Sequence, residues 1–188
     1  EHNIHARAGG IARSCPCFIV LGGWIGGSVA APICIRDNVG MPIELALAGF
    51  DSRLRAEGIR DRVSLIAGGS IRNSADVVKA IALGADAVYI GTAALIAMGC
   101  HMCRNCHSGK CNWGIATQNP ELVSRLDINE GVRRLVGLVT AWKHEIEEIM
   151  GGMGVNAIEA LRGNRLMLRG LGLNSRELDI LGIMHAGE

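Results

Sequence analysis

Three short apolar runs, each closed by glycine and each separated from the next by a helical pattern, restrict this chain to a narrow set of folds. Cys17-Phe18-Ile19-Val20-Leu21-Gly22, Val63 to Ala67 before Gly68-Gly69-Ser70, and Ala87 to Ile90 before Gly91-Thr92 read as strands. The first carries no polar alternation and is expected to be buried on both faces. Between the first and second, Pro42 opens a segment with Ile43, Leu47, Phe50 and Leu54 on one helical face, and Arg53, Arg55 and Glu57 flank it as solvent-side charges. Between the second and third, Asn73 stands three residues before Asp76 as a helix entry signal, and the helix runs through Val77, Val78, Ile81 and Ala82 to a terminal Gly84. Such alternation describes consecutive βα units of a parallel sheet. Composition agrees: 49% of residues are hydrophobic but only 3% aromatic, with 26 glycines, so the apolar content is the Ala, Ile, Leu and Val of α/β packing. Residues 2–13 form a further expected helix, weakened by Gly9 and Gly10.

The strand-terminal glycines carry chemistry. At the carboxyl end of a parallel strand, a turn without side chains lets backbone amides approach a phosphate, and the next helix adds its dipole. Gly68-Gly69-Ser70 and Gly91-Thr92 stand one βα unit apart, a spacing that allows both to grip one phosphate, as the loops after the last two strands do in (β/α)₈ barrels. Either loop alone is equally a tight turn. The pair together points to a phosphate-bearing cofactor.

A second centre lies just downstream. Cys100, Cys103, Cys106 and Cys111 fall within twelve residues, at steps of three, three and five. The first three follow the ferredoxin-type run that presents thiolates to iron–sulfur clusters. Structural zinc usually takes two separated Cys-x-x-Cys knuckles, so zinc is the lesser alternative, with a disulfide or plain thiols behind it. His101 and His107 are expected to tune the centre through hydrogen bonds rather than ligate it. Cys15 and Cys17, around a proline, read as packing thiols or a local redox pair, and His2 and His5 lack a carboxylate spaced to complete a metal site.

A formal net charge of +1 with 20% charged residues leaves no electrostatic footprint for nucleic acid. The apolar stretch from Ala80 to Cys100 is broken by Asp86, Tyr89 and interior glycines, so no membrane span is expected. Free thiols without a visible export signal imply the reducing cytoplasm. The chain opens on Glu1 rather than Met, so a fragment or a processed piece is expected. Beyond the cysteines, Glu130 to Met150 reads as a long amphipathic helix with Val132, Leu135, Val136, Val139, Trp142, Ile146 and Ile149 on one stripe, ended by Gly151-Gly152. A shorter helix starts in Asn156 to Leu161, and Asn174 with Glu177 forms a capping box. The tail is thus expected to be all-helical. The expected organisation is a parallel βα section with the cofactor loops over residues 1–98, an iron–sulfur segment over 99–118 and a helical region over 119–188.

The run from Ser64 through Leu95, the cysteine segment and Gly114-Ile115-Ala116-Thr117-Gln118 resembles the FMN-binding synthase domain of glutamate synthase, most nearly the archaeal-type large subunit. Gly26-Gly27-Ser28, Ala31-Pro32 and Gly40-Met41-Pro42 resemble it too. The resemblance implies an α/β chain forming the C-terminal part of a (β/α)₈ (TIM) barrel, with an iron–sulfur cluster segment and a helical tail, and so makes residues 1–98 a partial (β/α) barrel. It implies FMN at the strand ends, with Gly68, Gly69, Ser70, Gly91 and Thr92 on the phosphate and Gly26, Gly27 and Ser28 on the flavin side. Cys100, Cys106 and Cys111 match the ligands of a 3Fe-4S centre in bacterial-type enzymes, and Cys103 adds the fourth thiolate that a 4Fe-4S cluster takes. The implied reaction passes electrons through the cluster to FMN, which reduces 2-iminoglutarate, from 2-oxoglutarate and ammonia, to glutamate. Implied partners are an upstream barrel segment or partner subunit, a glutaminase supplying ammonia, and a ferredoxin- or NAD(P)H-linked electron donor. Gly22 and Val29 depart from the pattern, and no residue here can be named as the catalytic proton donor. A non-catalytic electron-transfer or scaffold component of a redox complex is the alternative.

Overall fold

The computed structural model describes Gly10, Ser14, residues 16–24 and residues 31–188. The expected helix over 2–13 lies, save for Gly10, outside the described residues, as do His2, His5, Cys15, Gly26, Gly27, Ser28 and Val29.

The three apolar runs form strands β1 (Phe18–Gly22), β2 (Ser64–Gly68) and β3 (Ala87–Tyr89), parallel and adjacent in chain order. Leu21 pairs with Ala67, which pairs with Val88, and Gly22, Gly68 and Tyr89 align at the carboxyl edge. Between them run α1 (Ile33–Asn38), α2 (Ile43–Ala56) and α3 (Ser74–Leu83). The expected face of α2, Ile43, Leu47, Phe50 and Leu54, is buried. The Asn73 side chain caps α3 by accepting from the Asp76 N–H at 2.9 Å, and Gly84 ends it in the left-handed region. Crossovers that advance the same way between neighbouring parallel strands keep their helices on one face of the sheet, the arrangement of a barrel wall.

One consequence corrects the reading of β1. Ile19 and Leu21 are buried against the helices, but Phe18 and Val20 are 58% and 45% exposed, with Tyr89 of β3 open on the same sheet. The absence of polar alternation therefore marks a sheet face that is apolar yet open: among the described residues no layer covers it.

At the amino ends of the strands, charges that look like solvent-side decoration bind the layers together. Asp51 on α2 is fully buried and accepts from Arg55, Arg60 and Arg165, each at 2.8 Å. Asp86, before β3, accepts from Arg60 at 2.8 Å and Arg162 at 2.6 Å. Arg55 is therefore half-exposed yet tied to a buried carboxylate, which its flanking position concealed. Gly84, at φ +119°, sits where a Cβ would strike the Asp51 carboxylate.

Helix α4 (Thr92–Ala97) leads into the cysteine segment, after which come α5 (Pro120–Val123), α6 (Ile128–Gly152) and α7 (Ile158–Leu161). Trp142 and Met150 of α6 are buried where it packs on α3 and α4. The single stripe expected for α6 is two: Leu135, Leu138, Trp142, Ile146 and Ile149 face the domain, whereas Val132, Val136 and Val139 are more than half exposed. The tail is not all-helical either. Arg169–Gly170 (β4) and Met184–His185 (β5) pair in parallel around α8 (Ser175–Leu181), whose Asn174–Glu177 capping box is formed.

Candidate functional site

The glycine-rich turns converge at the carboxyl ends of the strands. The Gly23 N–H donates to the Gly68 carbonyl at 2.8 Å, tying the end of β1 to that of β2. Gly69 adopts φ +110° and lies so close to Gly23 that a Cβ would meet its backbone at 3.0 Å; both the conformation and the approach require glycine. Ser70 follows at φ +58°, and its hydroxyl donates to the Trp24 carbonyl at 3.1 Å. A turn of this kind presents successive N–H groups to one side, the concavity in which anions bind. Gly91 and Gly22 differ: a Cβ at either would meet nothing within 4 Å, so nothing in the described chain demands glycine there. Gly91 stands immediately before Thr92, the first residue of α4.

The cysteine segment follows directly. Met102 and Arg104 hold φ +53° and +57° between the cysteines, with Gly99 and Gly109 also at positive φ, so the backbone coils tightly around the thiols. Cys111 is buried, Cys100 and Cys106 half-buried and Cys103 exposed. The Met102 N–H reaches the Cys100 Sγ at 3.4 Å. Burial, and then the neighbouring thiols of Cys100, Cys111 and Cys103, push the Cys106 thiol up. Burial would raise the Cys111 thiol too, but the backbone N–H groups of Ala116, Trp113, Ile115 and Gly114 outweigh it and favour the thiolate. Gly114 at φ +74° allows that wrap, since a Cβ there would lie 2.5 Å from the Leu122 carbonyl oxygen. The His101 ring stacks on Trp113 at 3.7 Å and 16°, bracing the first part of the segment against the last. Among the described residues, no three His, Cys, Asp or Glu side chains are gathered tightly enough to hold a single metal ion.

Residues invisible to sequence reasoning join the two halves. The Arg104 Nη1 donates to the Asp37 Oδ2 at 3.0 Å, and the Arg36 Nε to the Oδ1 at 3.1 Å. The Asp37 carbonyl accepts from the Trp24 Nε1 at 2.8 Å, and Trp24 carries the carbonyl that receives Ser70. The partners stand 67, 13 and 46 residues apart, and no local motif encodes such pairs. A groove of about 510 Å³ lined by Arg55, Arg60, Asp86 and Arg162 lies at the opposite, amino end. In barrels of this type chemistry sits on the carboxyl face, so this groove belongs to the structural network.

The fold and site define part of a (β/α) barrel with glycine-rich strand ends and a four-thiol segment fastened to them. Among solved structures, two flavocytochrome b2 variants, one with benzoylformate and one with pyruvate bound, share the fold at TM-score 0.55, with 21% and 19% identity, over 93% of this chain and 37% of theirs. The profile described as the conserved region in glutamate synthase matches residues 1–156, and the chain belongs to that family. It is 60% identical over 187 residues to the archaeal-type NADPH glutamate synthase of Thermotoga maritima and 59% identical to the archaeal NADPH glutamate synthase of Methanocaldococcus jannaschii. Against the ferredoxin-dependent glutamate synthase of Pyropia yezoensis it is 35% identical over 93% of its length. All of this chain is matched by the first two relatives, of which it spans 37%. Among the described residues no helix is long and apolar enough to cross a membrane.

Proposed function

We propose that this chain is the part of a glutamate synthase in which FMN and an iron–sulfur cluster meet. When bound, the flavin would supply the reducing power that turns 2-iminoglutarate, formed from 2-oxoglutarate and ammonia, into glutamate, with electrons arriving through the cluster. Gly68, Gly69 and Ser70 would hold the FMN phosphate on their turn, with Gly91 and Thr92 alongside. The free space over Gly91 supports this, because a glycine that nothing among the described residues requires fits a group approaching from outside. Gly26, Gly27 and Ser28 complete the flavin side of this reading from outside the described residues.

Cys100, Cys103, Cys106 and Cys111 would hold the cluster, 4Fe-4S in preference to 3Fe-4S because four thiols share the segment. Three cysteines at successive three-residue steps suit a multi-iron centre better than structural zinc, which usually takes two separated Cys-x-x-Cys knuckles. The amides around Cys111 stabilise its thiolate, the form a cluster binds. The rest of the barrel, the ammonia-supplying glutaminase and the ferredoxin- or NAD(P)H-linked donor would come from the remaining length of the protein or from partner subunits.

The observation that supports this reading is the hydrogen-bonded joint between the four-thiol segment and the glycine-rich strand ends. The test uses the complete assembly: metal analysis and a visible spectrum, chromatography of released flavin, and glutamate formation from 2-oxoglutarate, ammonia and a reduced donor. Iron, FMN and turnover together are the expected result. Zinc in the cysteine segment, or an assembly without flavin, overturns the reading.

A further inference from the structure

The joint has a property that neither site has alone. Arg104 lies between Cys103 and Cys106 and holds φ +57°, a conformation that a residue with a side chain keeps only when its surroundings fix it. Ligation of the cysteines on either side would supply that constraint. Arg104 then reaches out to Asp37, whose carboxylate it shares with Arg36, while the Asp37 main chain holds the Trp24 indole. Trp24 is pinned from two further directions: its main-chain N–H donates to the Met41 carbonyl at 2.7 Å, and its carbonyl receives the Ser70 hydroxyl. Arg104 is thus linked by hydrogen bonds through Asp37 and Trp24 to the turn that would hold a phosphate.

We infer that Asp37 is a positioning residue whose pairing with Arg104 couples occupancy of the cysteine segment to flavin affinity, so that a filled segment tightens the grip of Gly69 and Ser70 on FMN. The inference rests on the FMN and iron–sulfur reading above. Coupling of this kind is reciprocal, so bound FMN raises the equilibrium affinity for the cluster by the same factor.

The experiment measures FMN dissociation constants of the complete assembly by flavin fluorescence, with the cluster intact and after its anaerobic removal by chelator. The wild-type protein is expected to lose about three- to fivefold in affinity when the cluster is removed, the scale of a half-exposed ion pair. Arg104→Ala, with its cluster intact, binds FMN as weakly as cluster-free wild type and loses nothing more on cluster removal. Asp37→Asn behaves like Arg104→Ala, and Arg104→Lys, which keeps the charge, retains most of the response. An Arg104→Ala protein that responds to cluster removal as fully as wild type overturns the coupling while leaving the two cofactors in place. An assembly without iron or FMN overturns the parent reading and this inference with it.

Discussion

Asp51 shows how much one residue can carry without touching the site. Its fully buried carboxylate accepts from Arg55, Arg60 and Arg165, which belong to α2, the turn before β2 and the tail. Burial lowers the pKa of the Arg165 guanidinium, against the pull of Asp51. Asp51→Ala strands buried positive charge, and the expected loss is about 3–5 kcal/mol, read as a lower urea midpoint. Asp86 gives the pH dependence. Burial would raise its carboxyl, but the Leu65 N–H, Arg60 and Arg162 outweigh it and hold the carboxyl below its usual range. A folded-state pKa below the unfolded value of about 3.9 stabilises fully above that pH, and the contribution is lost as the pH falls through the folded value. Urea unfolding at pH 7, 5, 4 and 3 should therefore show stability falling on the acid side. Asp86→Asn should flatten that fall, and an unchanged slope would show that other carboxylates govern it.

Among the elements, what the sequence made legible was local. The caps of α3 and α8, the buried face of α2 and the glycines ending each strand all follow from patterns a few residues long, and all are formed. Asp51 and Arg165 are 114 residues apart, and nothing near either marks the pairing, since a buried acid on α2 reads like any other helical charge. The joint at Asp37 was hidden for the same reason. In α6 periodicity identified the apolar positions but not which neighbour would cover them. Trp142 is buried against the domain, whereas Val132, Val136 and Val139 look outward. Trp142→Ala should cost about 3–5 kcal/mol through the cavity it leaves. Val136→Ser should change stability by no more than about 0.5 kcal/mol. Equal losses in a thermal unfolding series would mean that the outward stripe is covered too.

At the scale of the whole molecule, the sheet decides how the chain behaves alone. Its helix-side face is packed, but Phe18, Val20 and Tyr89 leave the other face apolar and open, and among the described residues β1 and β3 each pair on one side only. Open apolar faces and unpaired strand edges drive association, because both the hydrophobic area and the free backbone groups are satisfied by another chain. The chain spans 37% of the length of its archaeal-type relatives, and the missing strands of a barrel would cover that face from within. Produced by itself, the chain should therefore sediment as oligomers and bind a hydrophobic dye. Val20→Lys paired with Tyr89→Lys should move it toward monomer and reduce dye binding. In the complete protein the same two lysines would point into the packed barrel interior, where unpaired charge is costly, and should lower its stability and its flavin content. A separate chain that is monomeric and silent to the dye would mean that this face is already covered, and that the sheet is not an open section of barrel.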